Sequence, residues 1–181
     1  MQYIEISSAD ELWAWLEANH AQNDSIRLVT WKVGHPDKYV SREEVLDALI
    51  AYGWIDGRRF KVDDDRTAQL IAPRKQQSWS QSYKQRVEKL RREGRMKSAG
   101  EQSVQNGQKS GLWDFFSDVD ALIVPDDLAA VINLESWNDF APSYRRNVLR
   151  WIKVAKTEVT RKKRVSTVVE ATEKKQKIPQ F

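Results

Sequence analysis

Chemistry in this chain concentrates in one stretch, Tyr52-Gly53-Trp54-Ile55-Asp56-Gly57-Arg58-Arg59-Phe60-Lys61. Two glycines bracket Trp-Ile-Asp, and two arginines follow. A guanidinium fork binds a carboxylate or phosphate through two parallel hydrogen bonds. An indole face stacks on a ring or a cation. The stretch therefore offers anion and ring recognition at a point where a helix should end and a strand begin. Proton transfer would need a second carboxylate, and Asp47 on the preceding helix supplies one. An Asp47/Asp56 acid–base pair is the hydrolase-like reading, but neither a nucleophile motif nor a phosphate loop accompanies it.

Composition removes other chemistries. The 181 residues include no cysteine, so disulfides, thiolate nucleophiles and cysteine metal sites are excluded. The two histidines, His20 and His35, fall in different elements and give no basis for a histidine metal site or triad. We assign no catalytic residue, metal ligand or cofactor. The N-terminus lacks the basic and apolar regions of a signal peptide. No apolar run approaches the ~20 residues of a membrane span. A cytoplasmic location is the default expectation. Oligomeric state is not legible.

Charge is uneven. Residues 74–97 carry 9 Lys/Arg against 2 Glu, a net of +7, and residues 144–181 carry 12 against 3, a net of +9. The plain reading is solvated helical faces and a basic tail. The functional reading is an anionic partner. Eight tryptophans are many for this length, and most should be core.

The elements that would position these residues follow from caps and periodicity. Ser8…Glu11, Ser41…Glu44, Ser78…Gln81 and Ser98…Glu101 each have capping-box spacing. The first opens a helix to about His20, and the second a helix with Val45, Leu46, Leu49 and Ile50 inward, stopping at Gly53. The third opens a helix with Trp79, Tyr83, Val87 and Leu90 on one stripe. The fourth opens a short helix to about Asn106. Ser25–Val33 reads as a strand with apolar residues on both faces. Arg58–Val62 and Thr67–Ala72 read as a hairpin around Asp63-Asp64-Asp65-Arg66. Leu112–Phe116 reads as a hydrophobic plug. Pro125, Pro142 and Thr157 open further helices, and the tail after Glu173 reads as frayed. The fold expected is α+β: a small antiparallel sheet of about three strands packed with helices, then a helical C-terminal section. The expected divisions are an α+β domain at 1–110, a connecting segment at 111–125 and a helical domain at 126–175.

Several stretches in order resemble the bacteriocin-protection, YdeI/OmpD-associated family. They are Trp15–His20, Trp31-Lys32, Glu44–Leu49, Tyr52–Gly57, Pro73-Arg74-Lys75 with Trp79-Ser80, and Arg86–Leu90 with Gly94-Arg95-Met96. Further on come Pro142–Arg146, Trp151-Ile152, Ala155-Lys156, Glu158 and Thr160-Arg161. The resemblance spans about residues 10–170 and implies a small bacterial protein, in some members tied to antimicrobial-peptide or bacteriocin resistance, with a helical domain at its C-terminal end. It implies no reaction.

The polar and aromatic residues of those stretches form one candidate ligand set: Trp31, Lys32, Asp47, Trp54, Asp56, Arg58, Arg74, Trp79 and Ser80. The expected partner is a small anionic molecule or a peptide. A structural alternative pairs Asp56 with Arg58 or Arg74 to fix the hairpin and buries Trp54 and Trp79. A second function places nucleic acid on the C-terminal helices through Arg145, Arg146, Arg150, Lys153 and Lys156, although no helix-turn-helix or RNA-binding signature accompanies them.

Overall fold

Ser8 and Ser41 start helices as their spacing predicts. The computed structural model describes residues 2–181. In α1 (Ala9–Asn19) the Ser8 hydroxyl accepts the Glu11 N–H. In α2 (Arg42–Ala51) Ser41 and Glu44 cap each other reciprocally, and the hydrogen bonds from Ser41 hold the Glu44 carboxyl below the usual range. The third box does not form. α3 (Gln81–Arg92) has Ser80 as its cap residue, because the preceding loop has other partners. Arg74 Nη1 donates to the carbonyls of Gln77 and Ser78, and the Trp79 N–H reaches Leu112 O at 3.0 Å. At the fourth box the cap residue is Lys97, and α4 (Ser98–Lys109) runs on past Asn106.

The sheet has four strands, not about three: β1 (Tyr3–Glu5), β2 (Ile26–Trp31), β3 (Trp54–Lys61) and β4 (Arg66–Pro73), in the order β1-β2-β4-β3. β1 lies parallel to β2, with Ile4 beside Leu28, so the sheet is not purely antiparallel. α1 is the crossover that a parallel pair requires. Three residues are too few for alternation to show, which is why β1 escapes a periodicity reading. β4 pairs antiparallel with both β2 and β3. β3 starts at Trp54, earlier than expected, and its pairing with β4 shifts between Asp56 and Arg59. Gly57 and Arg58 there oppose Leu70 alone, a bulge.

Partnered residues share a face, so the register sorts the side chains. Ile26, Leu28, Ile71 and Trp54 meet the helices, packing with Leu12, Leu16, Leu49, Ile50, Val87 and Leu90 in one core. Tyr3, Arg27, Val29, Phe60 and Ala68 lie on the other face.

The chain falls into two compact units, Met1–Asp114 and Phe115–Phe181. The plug divides between them. Trp113 packs on Trp79 in the first unit, ring centroids 5.1 Å apart, and Phe116 belongs to the core of the second. That second unit holds α5 (Ser117–Asp120), α6 (Asp126–Ala129), α7 (Leu134–Asn138), α8 (Pro142–Lys153) and α9 (Glu158–Glu173). Leu128, Trp137, Val148, Ile152 and Val168 form its centre. The tail is packed, not frayed. Ile178 is buried, its N–H donates to the Tyr144 hydroxyl at 3.1 Å, and Phe181 lies against Trp151. Among the described residues no helix is long and apolar enough to cross a membrane.

Candidate functional site

The junction Tyr52–Lys61 is built into the core at its start and reaches the surface at its end. Gly53 takes φ +73°, a left-handed conformation that ends α2 and turns the chain into β3. Its carbonyl accepts the Arg74 N–H at 2.9 Å, which closes the far end of the hairpin. Trp54 is 1% exposed. Its Nε1 donates to His20 O at 3.0 Å, and Trp15 meets it edge-on at 5.6 Å. Tyr52 is buried beside it and donates its hydroxyl to Glu17. Burial, then that carboxylate, pushes the Tyr52 hydroxyl well above its ordinary range.

Asp56 faces the helices. It accepts hydrogen bonds from the Tyr83 hydroxyl and from Gln69 Nε2 at 3.1 Å. Burial first, and the bond to Asp56 second, raise the Tyr83 hydroxyl. Arg74 lies 4.0 Å over Trp79 and 5.1 Å over Tyr83. Burial brings its guanidinium down to about 10, against the pull of Tyr83 and Asp56. Nη1 serves two carbonyls, whereas Nε and Nη2 have no hydrogen-bond partner among the described residues. Asp56, Arg74, Trp79, Tyr83 and Gln69 therefore form one cluster. Trp79 is itself buried, and Ser80 hydrogen-bonds Ser82 at its edge.

The remaining members of the expected set stand elsewhere. Asp47 is 3% exposed and is held by Arg86 at 2.7 Å and Lys89 at 2.6 Å, both from α3. Trp31 pairs with Arg66 and Trp54 with Pro73, at opposite ends of β4. That separation is roughly 23 Å at about 3.3 Å per residue. Trp31 lies under Lys38 and Arg66, and Lys32 Nζ donates to the carbonyls of Asp63 and Asp64. Both thus stabilise the acidic turn. Arg58 projects from the bulge over Phe60. Of the residues that complete the Asp56 and Asp47 contacts, Arg86 and Lys89 lie in a stretch that carries the resemblance, whereas Tyr83 shows only helical spacing and Gln69 only its place on a strand.

The basic residues of α8 are partly engaged. Lys153 meets Asp118 at 2.6 Å. Burial pushes the Asp118 carboxyl up, but the Lys153 bond and the Val119 N–H outweigh it and leave the group low. Arg150 lies over Phe116 and 3.8 Å from Asp120, and Arg145 donates to Asn138. Arg146 and Lys156 have no ion-pair partner among the described residues.

A groove of about 610 Å³ runs between α6 and α9 in the second unit. Val131, Val165 and Val169 give it an apolar floor, and Val131 is 56% exposed. Asp127, Glu170 and Glu173 line it with Lys162. Asp127 is taken by a two-pronged bond from Arg161 at 2.7 and 2.8 Å, which holds its carboxyl low. Lys162 is paired with Glu158 at 2.7 Å. Glu170 and Glu173 have no ion-pair partner among the described residues, so the rim is left negative. The helix opened at Pro125 and the apolar spacing on α9 are both legible in the sequence; that they line one groove is not.

Comparison with known families divides the chain much as its packing does. Residues 4–103 match the family described as a domain of unknown function, DUF8412. Residues 121–175 match the family described as Bacteriocin-protection, YdeI or OmpD-Associated. The resemblance read over about 10–170 thus holds as a direct match for the C-terminal stretches, and the earlier ones fall within the first match. Neither curated proteins nor solved structures gave a match. Because the first match covers more than half of the 181 residues, the chain belongs to the DUF8412 family, and it carries a bacteriocin-protection, YdeI or OmpD-associated segment at its C-terminal end.

Proposed function

We propose that the protein is bacteriocin-protection-like and holds a cationic, amphipathic peptide segment in the groove between α6 and α9. The observation that carries this is the groove itself: a valine floor beside two unpaired carboxylates, within the segment matching the bacteriocin-protection family. An amphipathic helix lays its apolar stripe into such a groove, and lysines on its flanks meet the rim. The volume lies within the range of ligand-sized clefts.

A labelled Lys/Leu amphipathic peptide titrated into the full chain should bind, and its Glu/Leu counterpart should not. Glu170→Gln with Glu173→Gln removes two rim charges, each worth ~0.2–1 kcal/mol, so affinity should fall about two- to thirtyfold. Equal binding of both peptides, or an unchanged affinity in the double variant, would remove this reading.

A second reading keeps a small anion at Arg74, favoured by the Nε and Nη2 donors, which have no partner among the described residues. Inorganic phosphate should then perturb the fluorescence of Trp79, 4.0 Å from the guanidinium. Lys cannot reproduce the fork, so an Arg74→Lys protein that titrates like the parent would eliminate this site.

A further inference from the structure

The face of the sheet turned away from the helices has a composition that neither reading above uses. Its floor is Val29 and Ala68, at the bottom of a hollow of about 310 Å³ that extends across all four strands. The Tyr3 ring stands at one side, 69% exposed. Phe60 stands at the other, three strand gaps away in the order β1-β2-β4-β3, or about 14 Å at roughly 4.8 Å per gap. Arg27 lies between them, its guanidinium 4.6 Å over the Phe60 ring, and Arg58 covers the same ring at 5.4 Å. Neither arginine has an ion-pair partner among the described residues. The one carboxylate that β1 adds to this face, Glu5, is neutralised by Arg66 at 2.7 Å. The face is thus net positive, and its cations are presented on aromatic rings.

We infer that this open sheet face binds single-stranded nucleic acid. Two chemical demands select that partner. Unpaired guanidinium groups beside rings suit a chain that alternates phosphates with planar bases, because arginine both contacts phosphate and stacks on a base. An exposed ring such as Tyr3, on a shallow surface beside guanidinium groups that lie over the half-buried Phe60, serves unpaired bases, whose faces are free, and not a duplex, whose faces are stacked. The charges that the sequence suggested for nucleic acid lie on α8 and, for Lys156, just past it, and two of them, Lys153 and Arg150, already face Asp118 and Asp120. Arg27 and Arg58 face solvent without such competition.

The test uses the full chain and a labelled oligothymidylate, followed by fluorescence anisotropy over a series of salt concentrations. Binding should weaken steeply as salt rises. Arg27→Gln with Arg58→Gln should lower affinity about tenfold or more and flatten the salt slope by about 1.4, at about 0.7 per phosphate contact on a single strand. Tyr3→Ala, at a position too exposed to affect folding, should lower affinity about fivefold or more with the slope unchanged, as a lost stacking contact does. Circular dichroism establishes that each variant is folded. Four results would overturn the inference. They are no binding by the parent, parent-like affinity in the double variant, equal affinity for duplex, and inorganic polyphosphate competing equally while Tyr3→Ala binds like the parent. The last would identify the face as a general polyanion surface.

Discussion

Trp54→Ala should destabilise the sheet-bearing unit by about 3–5 kcal/mol, the usual range for deleting a buried tryptophan side chain. The indole is 1% exposed and belongs to the same core cluster as Leu12, Leu16 and Leu49, with Trp15 edge-on to it, so its removal leaves a cavity in a packed core. The Trp54 N–H also satisfies the carbonyl of His20 just past the end of α1. Trp54→Phe separates the two contributions. It keeps most of the apolar surface and leaves that carbonyl without its donor, so its cost should be about 1–3 kcal/mol, the range for an unmade buried hydrogen bond. Denaturant melts followed by circular dichroism give both values. Because the chain has two units, the transition to follow is that of the unit containing Trp54. A Trp54→Ala protein as stable as the parent would show that the indole is not a core element, and would return it to the ligand set.

Gly100→Ala should also destabilise, and here the sign is the informative part. Gly100 is inside α4, where alanine ordinarily stabilises by about 1 kcal/mol relative to glycine. A β-carbon at this position would meet the backbone carbonyl of Ala51 and come within 2.7 Å of that of Ile50. Those oxygens belong to the end of α2, and neither can swing aside as a flexible side chain would. The neighbouring contact is equally close: a β-carbon on Gly53 would approach Ala99 O to 2.8 Å. α4 and the end of α2 therefore touch backbone to backbone, and overpacking there should cost about 1–3 kcal/mol or more. Gly34→Ala is the control, since nothing lies within 4 Å of its position. A Gly100→Ala protein more stable than the parent would show that the two helices are farther apart than this contact requires.

The legible parts of the fold were those written in local chemistry. Ser41 and Glu44 announce a helix because both partners of the cap lie in one turn. The hairpin announces itself through the Asp63–Arg66 turn, where Asp63 accepts the Arg66 N–H at 2.7 Å. What escaped was non-local. β1 exists because Ile4 finds Leu28, and α4 persists through two glycines because Ala51 and Trp79 press against them. The candidate set shows the same division. Adjacent residues such as Trp31 and Lys32 lie beside the same acidic turn, but shared membership of a signature does not imply shared space. Asp47, Asp56 and Trp31 serve three separate neighbourhoods. On the open sheet face, Arg27 is legible because alternation sets it opposite Ile26 and Leu28, whereas Phe60 is not, because strict alternation from Trp54 sends it inward.

The irregularity in β3 has a consequence for how that strand should respond to mutation. Counting by twos from Trp54 reaches Asp56, Arg58 and Phe60, which strict alternation would send to a single side. The extra residue resets the count, so Trp54 and Asp56 point to the helices while Phe60 pairs with Ala68 on the outer side. One strand thereby carries two independent messages, with a change of phase between them. Substitutions ahead of the reset should be felt as lost stability, and those behind it as altered surface chemistry. A family member lacking the extra residue would have to give up one of the two.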